Sequence, residues 1–154
     1  MRDEPKIHRT NSQLAATLHI TVPRDQIREV MEPGLRELMA TVNRQNVAIT
    51  GPWFTHHFRM YPDVFDFEIG IPVESPVRAE GRVKPSVYPS IKVVEMIYQG
   101  GYEGLSEAWE RFLECIDSRG YSVSEDLYEC YLVGPEHEND TEKWQTRLTK
   151  PLMD

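Results

Sequence analysis

The chain has 154 residues, 40% hydrophobic and 27% charged, which suits one compact domain spanning 1–154 and a globular rather than a disordered chain. Its net charge of −8, with no basic stripe interleaved with aromatics, argues against direct contact with nucleic acid. No stretch approaches the roughly 18–20 consecutive apolar residues of a membrane span, and the N-terminal MRDEPKIHRT lacks a signal-peptide core, so the sequence reads as cytoplasmic with no membrane partner.

In chain order, AATLHITVP is the first strand candidate, followed by RDQIREVMEPGLRELMATVNRQN. There Ile27, Val30, Met31, Leu35, Leu38, Met39 and Val42 recur at helical spacing. Pro33 interrupts the pattern and predicts a kink or the first turn of a fresh helical segment, because an interior proline loses a hydrogen bond and clashes with the preceding turn. Residues 53–73, WFTHHFRMYPDVFDFEIGIPV, read strand, turn, strand. The next stretch, ESPVRAEGRVKPSVYPS, carries Pro76, Gly81, Pro85 and Pro89 and reads as a connector.

The same order then repeats. SIKVVEMIY is a strand, QGGYEG a turn, and LSEAWERFLECIDSRG a helix with Leu105, Ala108, Trp109, Phe112, Cys115 and Ile116 on one stripe and Gly120 as its C-terminal stop. Residues 127–152 give a second hairpin. The expected fold class is therefore α+β, with duplicated β-α-β-β units, repeat one at about 5–75 and repeat two at about 83–153. Two helices lie on one side of an antiparallel sheet, its other face open, with a ligand cleft between the repeats.

Strand alternation assigns faces. In DLYECYLVGP, residues 126–135, Cys130 and Leu132 suit the helix side, which sends Glu129 and Tyr131 to the open face. Matching the two hairpins sets Thr55 against Glu129 and His57 against Tyr131, so Trp53, Thr55 and His57 share that face. In the partner strand, Phe65, Phe67, Ile69 and Ile71 go to the core, and Asp66, Glu68 and Gly70 to the opposite side. Aromatic and acidic side chains facing one groove can bind flat apolar surfaces and cations, or handle a proton. A carboxylate on the solvated face of an antiparallel sheet is also ordinary, and spacing alone leaves both readings of Glu129 open.

Six segments carry a resemblance: TVPRDQI before the first helix, GPWFTHHF at 51–58, FEIGIPV, YQGGYEGLSEAW at 98–109, ECY at 129–131, and KWQTRLTKPL. In this order they are similar to the GyrI-like small-molecule-binding domain family, also called the AraC-type effector-binding domain. The resemblance implies the duplicated, SOUL-like βαββ fold, a small-molecule ligand and no cofactor. It implies that Glu129 stands where multidrug-binding members place a buried glutamate against lipophilic cations, and that Tyr102 matches a family aromatic. It favours a standalone binding protein for aromatic, lipophilic compounds, cationic ones included, with Glu129, Tyr131, Trp53, His57, Tyr102 and Glu68 as ligand-binding residues. Two alternatives follow from other members. One is a hydrolase of cyclopropane-bearing alkylating compounds with Glu129 as the catalytic base; the other is a gyrase-inhibitor-like module with a protein partner. Monomer and homodimer are both open. Both repeats consume the chain, so no DNA-reading domain is expected.

The sequence departs from the family pattern at His57, where many members have an aromatic, and at Thr146, Arg147 and Leu148. Arg147 is a candidate partner for Glu129 or Glu68, which would lower the cleft's affinity for cations. His56 and His57, with Glu68 or His137, invite a metal site, but adjacent strand residues point to opposite faces, so no metal is expected. His57 is a candidate for proton transfer or hydrogen bonding. Trp53 is either a stacking wall or a strand aromatic covering the groove's end. Trp109 and Trp144 read as core. Cys115 and Cys130 form no disulfide framework and read as reduced core thiols.

Overall fold

The computed structural model describes residues 4–153. Chain contacts divide it into two units, Asn11–Ser90 and Met1–Thr10 with Ile91–Asp154. Each holds one long helix and a four-stranded antiparallel sheet.

In the first unit, β2 (Gln13–Pro23) leads through a short turn into α1 (Ile27–Arg44), and β3 (Phe54–Met60) and β4 (Val64–Pro72) form the hairpin. The strand β4 pairs with both β2 and β3. The stretch expected to be a bare connector contains a fourth strand, β5 (Val83–Tyr88), paired to the outer side of β2. Pro85 disguises it: proline cannot donate to a ladder, and an edge strand is where that loss is tolerated. Pro33 lies inside α1, which continues as one helix rather than restarting there.

The second unit repeats this plan with β6 (Lys92–Gln99), α2 (Leu105–Ser118), β7 (Leu127–Val133) and β8 (Gln145–Pro151). Here β8 lies between β6 and β7. Its edge strand is β1 (Lys6–Arg9), four exposed residues that fall at the start of the expected repeat one yet pair with β6 and belong to the second unit. The helix α2 stops at Gly120, which takes φ +73° while Tyr121 N–H bonds back to the Ile116 carbonyl, a glycine-closed helix end.

Register fixes which sheet face each helix covers. Directly opposed residues share a face. In the first unit, Leu18 opposes Ile69 and Ile20 opposes Phe67, and these pack with Leu38 and Val42 of α1. In the second, Met96 opposes Leu148, and both pack with Ala108, Phe112 and Ile116 of α2. Phe112 and Leu148 are fully buried; each such side chain contributes about 1.5–3 kcal/mol of apolar burial.

Both hairpins carry a bulge at matching places. The ladder shifts between His57 and Arg59 in β3 and between Tyr131 and Val133 in β7. This coincidence supports the equivalence of Thr55 with Glu129 and of His57 with Tyr131. Bulges re-aim side chains and concentrate beside functional sites.

Candidate functional site

Glu129 sits in the middle of β7, directly opposite Leu148 of β8. Leu148 belongs to the core beneath α2, so Glu129 and Tyr131 lie on the helix-covered face. This corrects the expectation that the pair faces the open side. It is Cys130, opposite Arg147, that takes the other face. The alternation of β7 was ambiguous because both of its faces are largely apolar.

Both carboxylate oxygens of Glu129 are held. The Tyr131 hydroxyl donates to Oε1 at 2.5 Å and the Trp109 indole N–H donates to Oε2 at 2.7 Å. Each donor is neutral. Arg147, the candidate counter-charge, instead approaches Glu95 at 3.6 Å on the opposite face. Lys150 follows on the helix face, where burial lowers its pKa and Asp126 and Glu125 are the acids that favour its charged form. Among the described residues, no basic side chain pairs with Glu129. Although the residue keeps partial exposure, desolvation of its carboxyl raises the pKa, and the bonds from Tyr131 and Trp109 only partly offset that.

Aromatic rings wall this carboxylate. Tyr102 meets Tyr131 edge-on at 5.9 Å and tilts over Trp144 at 4.9 Å. Trp144 is anchored just before β8 by its indole N–H, which donates to the Glu138 carbonyl at 2.8 Å. Gly134 lets Tyr102 come close, since a Cβ there would stand 2.7 Å from its hydroxyl. Burial, with Glu136 and Glu129 nearby, pushes the Tyr102 phenol up to about 12, so it stays a neutral donor. The Tyr102 hydroxyl and that of Thr146, which opposes Tyr131, are both buried without a hydrogen-bond partner among the described residues. Orphaned polar atoms beside an unpaired carboxylate are groups a bound molecule or water can satisfy.

The remaining expected site residues lie in the other unit. His57 is buried on the helix face of β3, stacked on Phe67 at 4.9 Å, with Nδ1 unpartnered among the described residues. Burial, assisted by His56 and Arg24, lowers its pKa to about 4, so it is neutral at pH 7. Trp53 packs half-buried against the α1 core. Glu68 is on the opposite face, opposed by His19 and His56, and is not gathered with His57 or Trp53. Desolvation raises its pKa. Among the described residues, no group of His, Cys, Asp and Glu is placed to hold a metal ion.

Trp109 is the residue that sequence reasoning missed. It was expected to pack in the core, and it does pack against the α2 cluster, yet its indole N–H faces the carboxylate. The available signal was the residue type itself, because a tryptophan on an apolar stripe still seeks a partner for its N–H.

A scan against protein families matches residues 10–153 to the GyrI-like small molecule binding domain. The chain belongs to this family. As a GyrI-like domain it is a small-molecule-binding module, and its α+β fold recurs in solved structures. The EcmrR C-terminal domain superposes with a TM-score of 0.83 at 20% identity, covering 99% of this chain and 98% of that one. Against the EcmrR chain solved in complex with DNA the superposition has the same TM-score of 0.83 at 20% identity, and this chain spans only 57% of that chain's length. A hydrolase encoded by lin2189 from Listeria innocua gives 0.69 at 13% identity, covering 98% and 92% of the two chains. SAV2435, solved bound to tetraphenylphosphonium, gives 0.70 at 14% identity, covering 97% and 94%. No curated protein matches the sequence. Among the described residues, no helix is long and apolar enough to cross a membrane.

Proposed function

We propose that this GyrI-like domain binds lipophilic organic cations, with Glu129 as the charge-recognising group. The observation that carries this reading is a desolvated carboxylate gripped by two neutral donors and paired, among the described residues, with no basic side chain. Such a group is costly to keep ionised, and a cation seated beside it relieves that cost while gaining Coulomb attraction in a poorly solvated site. Tyr131, Tyr102 and Trp109 supply ring faces for the apolar and cationic parts of the ligand. The tetraphenylphosphonium found on SAV2435 belongs to this chemical class.

The test is a calorimetric titration with tetraphenylphosphonium, using triphenylphosphine oxide as an uncharged control. Wild type should bind the cation at least tenfold more tightly than the control, and Glu129→Gln should erase that preference. Equal affinity for the two compounds in wild type would refute the reading.

A second reading rests on the raised Glu129 pKa. A carboxylate whose pKa burial raises is a stronger general base toward water, and the Listeria innocua neighbour is described as a hydrolase. For this GyrI-like domain the substrate would be a cyclopropane-bearing alkylating compound. Mass spectrometry after incubation should show the product of water addition and ring opening with wild type and not with Glu129→Gln. Absence of that product with wild type refutes the enzyme reading and leaves the binding reading standing.

A further inference from the structure

A cavity of about 560 Å³ lies within the second unit, away from Glu129. One wall is a stripe of α2 and its C-cap, with Ala108, Arg111, Cys115 and the capping Arg119 spaced three or four residues apart and so on one helical face. The other wall is the end of β6, from Met96 to Gln99. This part of β6 lies past the end of β1, whose first paired residue, Lys6, opposes Glu95. Pro5, unable to donate to a ladder, and Glu4 close one end. The result is an apolar slot between helix and strand with two guanidinium groups along it.

We propose that this slot is a second binding site, specific for a small organic anion with an apolar body of about two fused rings. The volume falls in the range of ligand pockets, and the side chains of Met96, Tyr98 and Ala108 offer a surface for the apolar part. Charge complementarity selects the anion. Arg111 pairs with Glu107 at 3.0 Å and Arg119 with Glu4 at 3.9 Å, and all four side chains are substantially exposed. Exposed pairs of this kind contribute little, so a ligand carboxylate or sulfonate can replace either acid at small cost. Glu4 is the one carboxylate among the described residues lining the slot, its side chain 88% exposed, and an incoming anion displaces it. The site is opposite in charge preference to the one at Glu129 and does not depend on it.

Cys115 makes the proposal testable, because it lines the slot and is partly accessible, while Cys130, the other cysteine of the chain, is buried. Iodoacetamide alkylation of Cys115 is followed by mass spectrometry with 8-anilinonaphthalene-1-sulfonate as the anionic probe and N-phenyl-1-naphthylamine as its uncharged analogue. The sulfonate should slow alkylation at least fivefold at saturation, and the neutral analogue should protect at least tenfold less well at equal concentration. Arg111→Gln with Arg119→Gln should weaken protection by the sulfonate about tenfold, Glu4→Gln should strengthen it, and Glu129→Gln should leave it unchanged. Failure of the sulfonate to protect wild-type Cys115 overturns the proposal without recourse to any variant. Protection that survives the double arginine variant, or that vanishes with Glu129→Gln, overturns it equally. Circular dichroism of each variant establishes that it is folded.

Discussion

Replacing Glu129 by glutamine should stabilise the protein at neutral and alkaline pH. Burial is the leading influence on this carboxyl and raises its pKa in the folded state above the unfolded value. Between those two values the folded chain binds more protons than the unfolded one, so stability is greatest below the unfolded pKa and falls as pH rises through the folded pKa. The magnitude follows from the contacts. Desolvating an ion in a protein costs several kcal/mol after relaxation, and two charge-assisted hydrogen bonds return about 1.5–3 kcal/mol each. Because desolvation wins, roughly 1–3 kcal/mol remains uncompensated above the folded pKa. Glutamine removes the charge and can keep both bonds: its carbonyl accepts from the Trp109 indole, and its amide donates to the Tyr131 oxygen, which is both donor and acceptor. Urea unfolding followed by far-UV circular dichroism at pH 4, 6 and 8, at constant ionic strength, should show the variant more stable by about 1–3 kcal/mol at pH 8. The difference should shrink toward zero at pH 4. In thermal unfolding each kcal/mol should appear as about 2–4 °C. A variant less stable than wild type at pH 8, or an advantage of equal size at every pH, would refute the reasoning. The same substitution should abolish preference for tetraphenylphosphonium, so stability would rise as function falls, as expected where a site keeps an uncompensated group.

Trp109→Phe keeps the ring on α2 but deletes the donor to Glu129; it should cost about 1.5–3 kcal/mol at pH 8, and a double-mutant cycle should show a smaller cost on the Glu129→Gln background. His57 titrates in the opposite sense. Its pKa of about 4 lies below the unfolded value, so its contribution is complete above about pH 6.5 and is lost as pH falls toward 4, about 3 kcal/mol in all. Urea midpoints of His57→Phe, which preserves a ring over Phe67, should lack this acid-dependent loss. Gly70→Ala should destabilise by about 1–3 kcal/mol, because a Cβ there would stand 2.3 Å from the Phe54 ring that packs over it, and a thermal melt measures the loss.

The difference between sequence and structure is instructive at Glu129. The helices, both hairpins and the twofold repetition were legible because each rests on local spacing: Phe112 and Ile116 recur at helical intervals and Phe67, Ile69 and Ile71 alternate, whatever lies across the sheet. The short strands β1 and β5 were not, since four exposed residues and a proline-containing stretch show no pattern until paired. Face assignment failed for a similar reason. In β7, Leu127, Tyr128, Cys130 and Tyr131 are all buried, so alternation could not say which set meets α2. The deciding fact is the register that sets Glu129 opposite Leu148, whose place on the helix side is the more readable of the two because Arg147 and Leu148 differ so sharply in polarity. Register in turn depends on an 11-residue connection and a bulge after Tyr131, neither of which has a fixed sequence signature. Carried across the hairpin, the register reverses the physical meaning of the charge. On an open face Glu129 would be an inexpensive, solvated acid with a surface arginine for a neighbour. Under α2 it is a desolvated acid bonded, among the described residues, to two neutral donors, and that is the property a cation-binding site requires.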